Sequence, residues 1–312
     1  MHTGKVADFL SSLQGLAGRG AQWSNGAMEN LLNFWQHIPE HLRPDVFSIG
    51  VFSIHWYSLM YIVALLVIFL LTAGRIKKGE VSLPSSPSEL LDVITWSVLG
   101  IIAGGRLGYV LIYDPRYYAS HTLEAFLPFS WEGGFHYTGF LGMSFHGGLV
   151  GVLVVFFLYC RKRGWKLFDL TDVLAPAIPL GYTFGRLGNF INGELYGRAT
   201  HNVLGMYFPL DPSGVLRYPS QLIEALLEGL LLFAVLWPLR NRRPFTGFLS
   251  GFFLIGYGVF RFIAEFFRQP DPQLGFVLWG FSMGQLLCAA MVVSGIIIWM
   301  VCPKREKARN QS

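Results

Sequence analysis

Arg106, His146, Arg186, Arg261 and Glu265 stand inside otherwise apolar stretches of a 312-residue chain. A charge within a bilayer costs at least about 2.5–3.5 kcal/mol on insertion scales, so such residues have a partner or a task. Imidazole can accept a proton near neutral pH, and a planar guanidinium fork matches two oxygens of a phosphate. The densest segment runs from Gly181 to Arg198 and holds Gly181, Gly185, Gly188, Gly193 and Gly197. So many glycines argue against a long helix and for backbone N–H groups that approach an anion closely, with Arg186 adding its fork. With Asn189, Asn192 and Glu194 inside it, the segment reads as a clamp for an anionic headgroup. Plainer readings stand beside this one. Arg261 and Glu265, four residues apart, fit a structural pair. His146, followed by Gly147 and Gly148, fits a histidine at a close helix crossing.

The elements that carry these residues follow from composition. Hydrophobic residues make up 53% of the chain and charged ones 14%, with nine Trp, thirteen Tyr and 27 Phe. That exceeds what one soluble core buries, and the excess has to face lipid. The expected fold class is an all-α integral membrane protein. Roughly 20 apolar residues span a bilayer as a helix, and seven such runs are read: Trp56–Ala73, Leu90–Tyr113, Leu141–Cys160, Phe168–Gly185, Pro219–Leu239, Gly247–Phe267 and Phe276–Val301. The fourth is the weakest, interrupted by Asp169, Asp172, Pro176 and Pro179. Basic residues crowd one set of loops, at Arg75, Lys77 and Lys78, at Arg161 to Lys166, at Arg240 to Arg243 and after Lys304. The positive-inside rule then predicts seven transmembrane helices with the N-terminus outside and the C-terminus cytoplasmic. At 1.5 Å per residue the five charged groups fall within roughly 10 Å of the outer boundary.

Three regions are expected: an extension over 1–48, a seven-helix catalytic domain over 49–303, and a basic cytoplasmic tail over 304–312. The extension lacks the apolar core of a cleavable signal. Within it, Ala27–Gln36 fits either a short amphipathic surface helix or a weakly ordered stretch. The net charge of +5 sits in loop clusters, so no nucleic-acid partner is expected. Cys160, Cys288 and Cys302 are too scattered for a disulfide framework or a metal site. No cofactor or metal is expected.

Gly185-Arg-Leu-Gly-Asn-Phe-Ile-Asn-Gly-Glu194 resembles the most specific motif of bacterial prolipoprotein diacylglyceryl transferases. His55-Trp-Tyr57, Gly105-Arg106-Leu-Gly-Tyr109, Ser144-Phe-His146-Gly-Gly148, Pro219-Ser-Gln221 and the stretch Arg261 to Pro270 follow in that family's order. The resemblance covers about residues 44 to 300. Three features depart from it: a longer stretch from Trp131 to Met143, Tyr218 where many members carry His, and Ile223 where many carry Tyr.

The resemblance implies an enzyme of the bacterial inner membrane. It would move the diacylglyceryl group of phosphatidylglycerol to the lipobox cysteine of prolipoprotein signal peptides, amid membrane lipids, forming a thioether and releasing glycerol phosphate. It marks Tyr57, His146, Asn189, Glu194, Arg261 and Glu265 as catalytic positions, and Arg186, with Arg106, Gly185, Gly188, Asn192 and Gly197, as substrate-binding. The chemistry fits the residues independently. A thiol with a pKa near 8.5 needs a base or a positive field, and a phosphate leaving group needs preorganised cations. The competing reading, a transporter, predicts a polar site near the midplane between repeats, whereas here the charges lie toward one face and no repeat is seen.

Overall fold

The structure is a computed structural model that describes residues 26, 28–49, 52–127, 129–130, 136–137, 142–269, 276–278 and 281–310. The described chain is mostly helical. Its elements are α1 (28–41), β1 (Asp45–Ile49), β2 (Phe52–His55), α2 (Trp56–Lys77), α3 (Pro87–Gly108) continuing as a π-helix (Tyr109–Tyr113), α4 (Pro115–Ser120) and α5 (Thr122–Phe126). There follow β3 (Phe129–Ser130), β4 (His136–Tyr137), α6 (Phe145–Arg163), α7 (Leu167–Leu174), α8 (Ile178–Ile191) and α9 (Ser220–Glu224). A second π-helix (Ala225–Leu231), α10 (Leu232–Leu239), α11 (Phe248–Ala264), β5 (Phe276–Leu278), β6 (Phe281–Ser282) and α12 (Met283–Asn310) complete it. Among the described residues the strands pair as three antiparallel two-stranded ladders.

Among the described residues, five helical stretches are long and apolar enough to cross a membrane: Trp56–Lys77, Pro87–Tyr113, Phe145–Arg163, Ser220–Leu239 and Met283–Lys304. They match the first, second, third, fifth and seventh apolar runs. The sixth run is the shorter helix α11, whose last residue is Ala264, so Glu265 lies in the turn beyond it. The fourth run is not one helix: α7 ends at Leu174 and α8 begins at Ile178, on either side of Pro176. Proline has no N–H to donate and crowds the carbonyl four residues before it, so the break falls there. The start of the seventh run is the β5–β6 hairpin rather than helix. The long stretch before His146 lies largely outside the described residues, since 131–135 and 138–141 are not among them.

The chain divides into two compact units. One comprises residues up to Tyr61, Thr183–Leu227 and Phe260–Leu286. Its apolar centre is Phe190, Met206 and Phe208, and α1 packs Trp35, Ile38 and the following Leu42 onto them. Residues 28–41 are helical, and these side chains bury against a core of the protein itself.

The other unit comprises Ile62–Tyr182, Glu228–Val259 and the chain from Leu287. Its centre is Leu90, Val93, Cys160, Leu170 and Leu174. There α3 and α6 cross with touching backbones: a methyl at Gly104 would overlap the carbonyl of Gly147, and one at Gly151 the carbonyl of Gly100. Small residues at four-residue spacing permit this approach. The basic loop residues also tie helix ends together. Arg75, 2% exposed, donates to the carbonyls of Val173 at 2.7 Å and Arg240 at 2.9 Å, while Asp172 accepts from the N–H groups of Gly247 and Ser250, both at 2.8 Å, at the start of α11.

Candidate functional site

The first unit collects most of the singled-out polar residues. Its frame is the approach of α8 to the start of α2: a methyl at Gly188 would stand 3.3 Å from Tyr57 Cα and 3.2 Å from Met60 Cβ. That approach brings the turn bearing Asn189 up to Tyr57, whose hydroxyl lies 3.0 Å from the Tyr61 hydroxyl. Asn189 accepts from Arg186 Nη1 at 3.4 Å and donates from Nδ2 to Glu194 Oε1 at 2.8 Å. The glycines therefore act differently from the reading made on sequence. Gly181, Gly185 and Gly188 lie inside α8, where the backbone N–H groups are engaged in the helix, and the bareness of Gly181 and Gly188 lets α2 approach. The backbone N–H groups over 181–191 are therefore taken up by the helix rather than turned toward an anion.

Past α8 the chain turns sharply. Gly193 has φ +68° and Leu195 φ 59°, a conformation few residues with a Cβ adopt. Gln221 Nε2 donates to the carbonyl of Glu194 at 2.6 Å and Ser220 Oγ to that of Leu195 at 2.8 Å, which holds the strained turn from outside. At Gly197 the N–H donates to the carbonyl of Tyr218 at 2.8 Å, and a methyl there would overlap the carbonyl of Phe267. Gly197 is thus required by packing. Gly185, by contrast, faces open space.

At the centre lies a residue that was not singled out. Glu224, 1% exposed in α9, receives Arg186 Nε and Arg261 Nη1 on the same oxygen, Oε2, each at 2.9 Å, and Arg268 Nη1 on Oε1 at 3.4 Å. Glu265, also buried, takes Arg261 Nη2 on Oε2 at 3.0 Å and the Ser282 hydroxyl on Oε1 at 3.1 Å. The expected Arg261–Glu265 pair therefore exists, as one edge of a larger network. Arg198 closes it, donating to the carbonyls of Arg268 at 2.8 Å and Glu265 at 3.4 Å. Among the described residues, three guanidinium groups, Arg186, Arg261 and Arg268, meet two carboxylates, Glu224 and Glu265, in a poorly solvated place. Guanidinium forks are the groups whose geometry matches a phosphate.

Glu224 had a signal in the sequence: with Glu228 it is an acid inside the fifth apolar run, and intramembrane charge was the criterion already applied. Arg198 and Arg268 stand outside the apolar runs, and only the fold brings them to the cluster. Asn192 Oδ1 and Gln221 Oε1 are buried and accept no hydrogen bond among the described residues.

Two singled-out residues lie in the second unit. His146 occupies the first turn of α6 with its side chain exposed, so it is not buried at the α3–α6 crossing that its neighbour Gly147 makes. Arg106 is buried at the end of α3 and donates to the carbonyls of Ala125 at 2.8 Å, Glu124, and Gly142 at 3.3 Å, with Tyr118 under its guanidinium at 5.0 Å. Among the described residues, its hydrogen-bond partners include backbone groups of α5 and of the approach to α6.

Several long apolar helices together with a buried arginine–carboxylate cluster define a multi-pass helical membrane protein with a site suited to an anionic group. The chain belongs to the prolipoprotein diacylglyceryl transferase family, whose model matches residues 44–301. It is 46% identical over 286 residues, 91% of this chain and 97% of the relative, to the phosphatidylglycerol–prolipoprotein diacylglyceryl transferase of Chlorobaculum tepidum. The enzyme of the same name from Bordetella avium is 47% identical over 88% of this chain and 98% of its own length, and that of Wolinella succinogenes is 41% identical over 88% and 98%.

Proposed function

We propose that this protein transfers the diacylglyceryl group of phosphatidylglycerol to the thiol of a lipobox cysteine in a prolipoprotein. The bond from the glyceryl carbon to the phosphate oxygen breaks, a carbon–sulfur bond forms, and glycerol phosphate leaves with the bonding electrons. The observation that carries this reading is the gathering of Arg186, Arg261 and Arg268 around buried Glu224, because the leaving phosphate gains charge as the carbon–oxygen bond breaks. Glu224 and Glu265 orient the guanidinium forks. Asn192 Oδ1, buried without a donor among the described residues, suits a hydroxyl of the glycerol headgroup. Asn189 links Arg186 to Glu194, so the three act as one polar unit.

The thiol proton goes to His146, whose exposed imidazole suits a general base. Cys160 and Cys288 are buried and no cysteine belongs to the cluster, which favours direct transfer over a covalent enzyme intermediate. We place the chain in the bacterial inner membrane with seven spans: the five long stretches, α11, and the broken α7–α8 pair as the fourth. The catalytic domain is 49–303, the tail 304–312 is cytoplasmic, and the site faces outward. A membrane-impermeant thiol reagent, applied to single cysteines in an otherwise cysteine-free protein, should label Ser120→Cys and, in the loop around Asp211, the exposed Val215→Cys from outside and spare Arg242→Cys. The reverse pattern would overturn the orientation. The activity itself is tested with labelled phosphatidylglycerol and a lipobox peptide: a thioether product supports the reading, and its absence with folded protein contradicts it.

A further inference from the structure

A second buried acid follows Glu224 on the same helical stretch, and the transfer chemistry described above makes no use of it. Glu228 is 0% exposed and lies in the π-helix Ala225–Leu231. Its Oε2 accepts a hydrogen bond of 2.5 Å from the hydroxyl of Tyr182. Tyr182 is on α8, four residues before Arg186, and its ring meets that of Tyr257 on α11 edge-on at 5.6 Å. A carboxyl group deep in an apolar span costs several kcal/mol unless it is bonded, so its retention calls for a reason. The wider i→i+5 winding around it is the kind of local bulge that re-aims side chains near functional sites.

Residues four apart on an α-helix project from nearly one face, so what holds Tyr182 also sets the rotation of the face that bears Arg186. A 10° rotation carries a group about 6 Å from the helix axis through about 1 Å. A misplacement of that size can cost a reaction about 10²-fold. We infer that Glu228 is a positioning residue: by gripping Tyr182 it fixes the rotation of α8 and thereby the aim of the Arg186 guanidinium. This rests on the reading of the protein as a diacylglyceryl transferase that binds phosphatidylglycerol through Arg186.

The test compares E228Q, E228L, Y182F and the Y182F/E228L double variant as full-length protein in lipid nanodiscs. Gln keeps a carbonyl oxygen for the Tyr182 hydroxyl, so E228Q should stay within about threefold of wild type while E228L loses about 10-fold to 10²-fold in kcat/KM for phosphatidylglycerol. Y182F should lose as much as E228L, and the double variant no more than either, because the pair acts as a unit. KM for the lipobox peptide should be unchanged throughout. Y182F removes one hydroxyl from a retained ring, so it keeps the test decisive if E228L fails to accumulate. Wild-type turnover in Y182F, additive losses, or equal losses toward both substrates in step with melting temperature would overturn the inference. If wild-type protein forms no thioether, the transferase reading fails. Glu228 is then judged by binding of fluorescent phosphatidylglycerol alone: weakening by Y182F in wild type but not in R186K supports the positioning role, and equal weakening in both overturns it.

Discussion

Removing a carboxylate such as Glu224 from water costs several kcal/mol, and here three guanidinium groups offset that cost at 2.9, 2.9 and 3.4 Å. Breaking such a buried pair by removing one partner typically costs about 3–5 kcal/mol. E224Q should therefore melt well below wild type. A bound phosphate would restore the missing countercharge, so phosphatidylglycerol should raise the melting temperature of E224Q more than that of wild type. An equal or smaller shift would mean that the lipid phosphate does not meet these arginines. Arg106 behaves oppositely, since its guanidinium is committed to backbone carbonyls of Glu124, Ala125 and Gly142. R106K cannot reproduce that fork. It should lower the melting temperature by an amount corresponding to about 1.5–3 kcal/mol for a lost charge-assisted hydrogen bond, and a melting curve unchanged from wild type would contradict this structural role. At this scale the sequence was legible where a residue sat in a dense motif, as for Arg186, Asn189 and Glu194. It was opaque at Arg268 and Arg198, because a charge beside an apolar run looks like a loop charge until the chain folds back on itself.

The segment joining α8 to α9 shows how an irregular element holds a site. It has little regular structure, and its rigidity comes from pairs such as Arg217 with Asp211, joined through Nε at 2.7 Å and Nη2 at 3.2 Å. The Arg217 bond, helped by the Ser213 side chain and N–H and opposed by burial, holds the Asp211 carboxyl down from 3.8 to about 2. A folded-state value below the unfolded one means stability that is complete above about pH 4 and lost as pH falls toward 2. D211N should lower the melting temperature at neutral pH and flatten its decline between pH 4 and pH 2, where wild type declines more steeply. Parallel melting curves for the two proteins across that window would exclude the pair as a stabilising element. Helix positions were mostly readable from apolar runs, since lipid-facing helices must satisfy their backbone internally. The run from Phe168 to Gly185, the weakest of the seven by its charges and prolines, divides at Pro176 into α7 and α8. The glycines of α8 misled. Their intrinsic helix cost of about 1 kcal/mol each is outweighed by the close packing against α2 that bareness allows at Gly181 and Gly188.

For the whole molecule, composition pointed to lipid as the solvent: 53% hydrophobic residues with 14% charged give more apolar surface than one soluble core buries. The family and the class of chemistry followed from motifs spread over most of the chain, which the match over residues 44–301 bears out. What no periodicity conveys is which distant segments converge. Glu224, Arg186, Arg261 and Arg268 come from three separate stretches, and their meeting is a property of the fold alone. The proposed work of that cluster is to hold the leaving phosphate through forked hydrogen bonds, which charge without geometry does not replace. The direct measurement is the rate of thioether formation in R186K and R261K, with melting temperatures taken in the same detergent. Each variant should remain folded and fall by about 10²-fold to 10³-fold in turnover, the usual loss on removing transition-state charge stabilisation. Wild-type rates in both would contradict a phosphate clamp at this cluster.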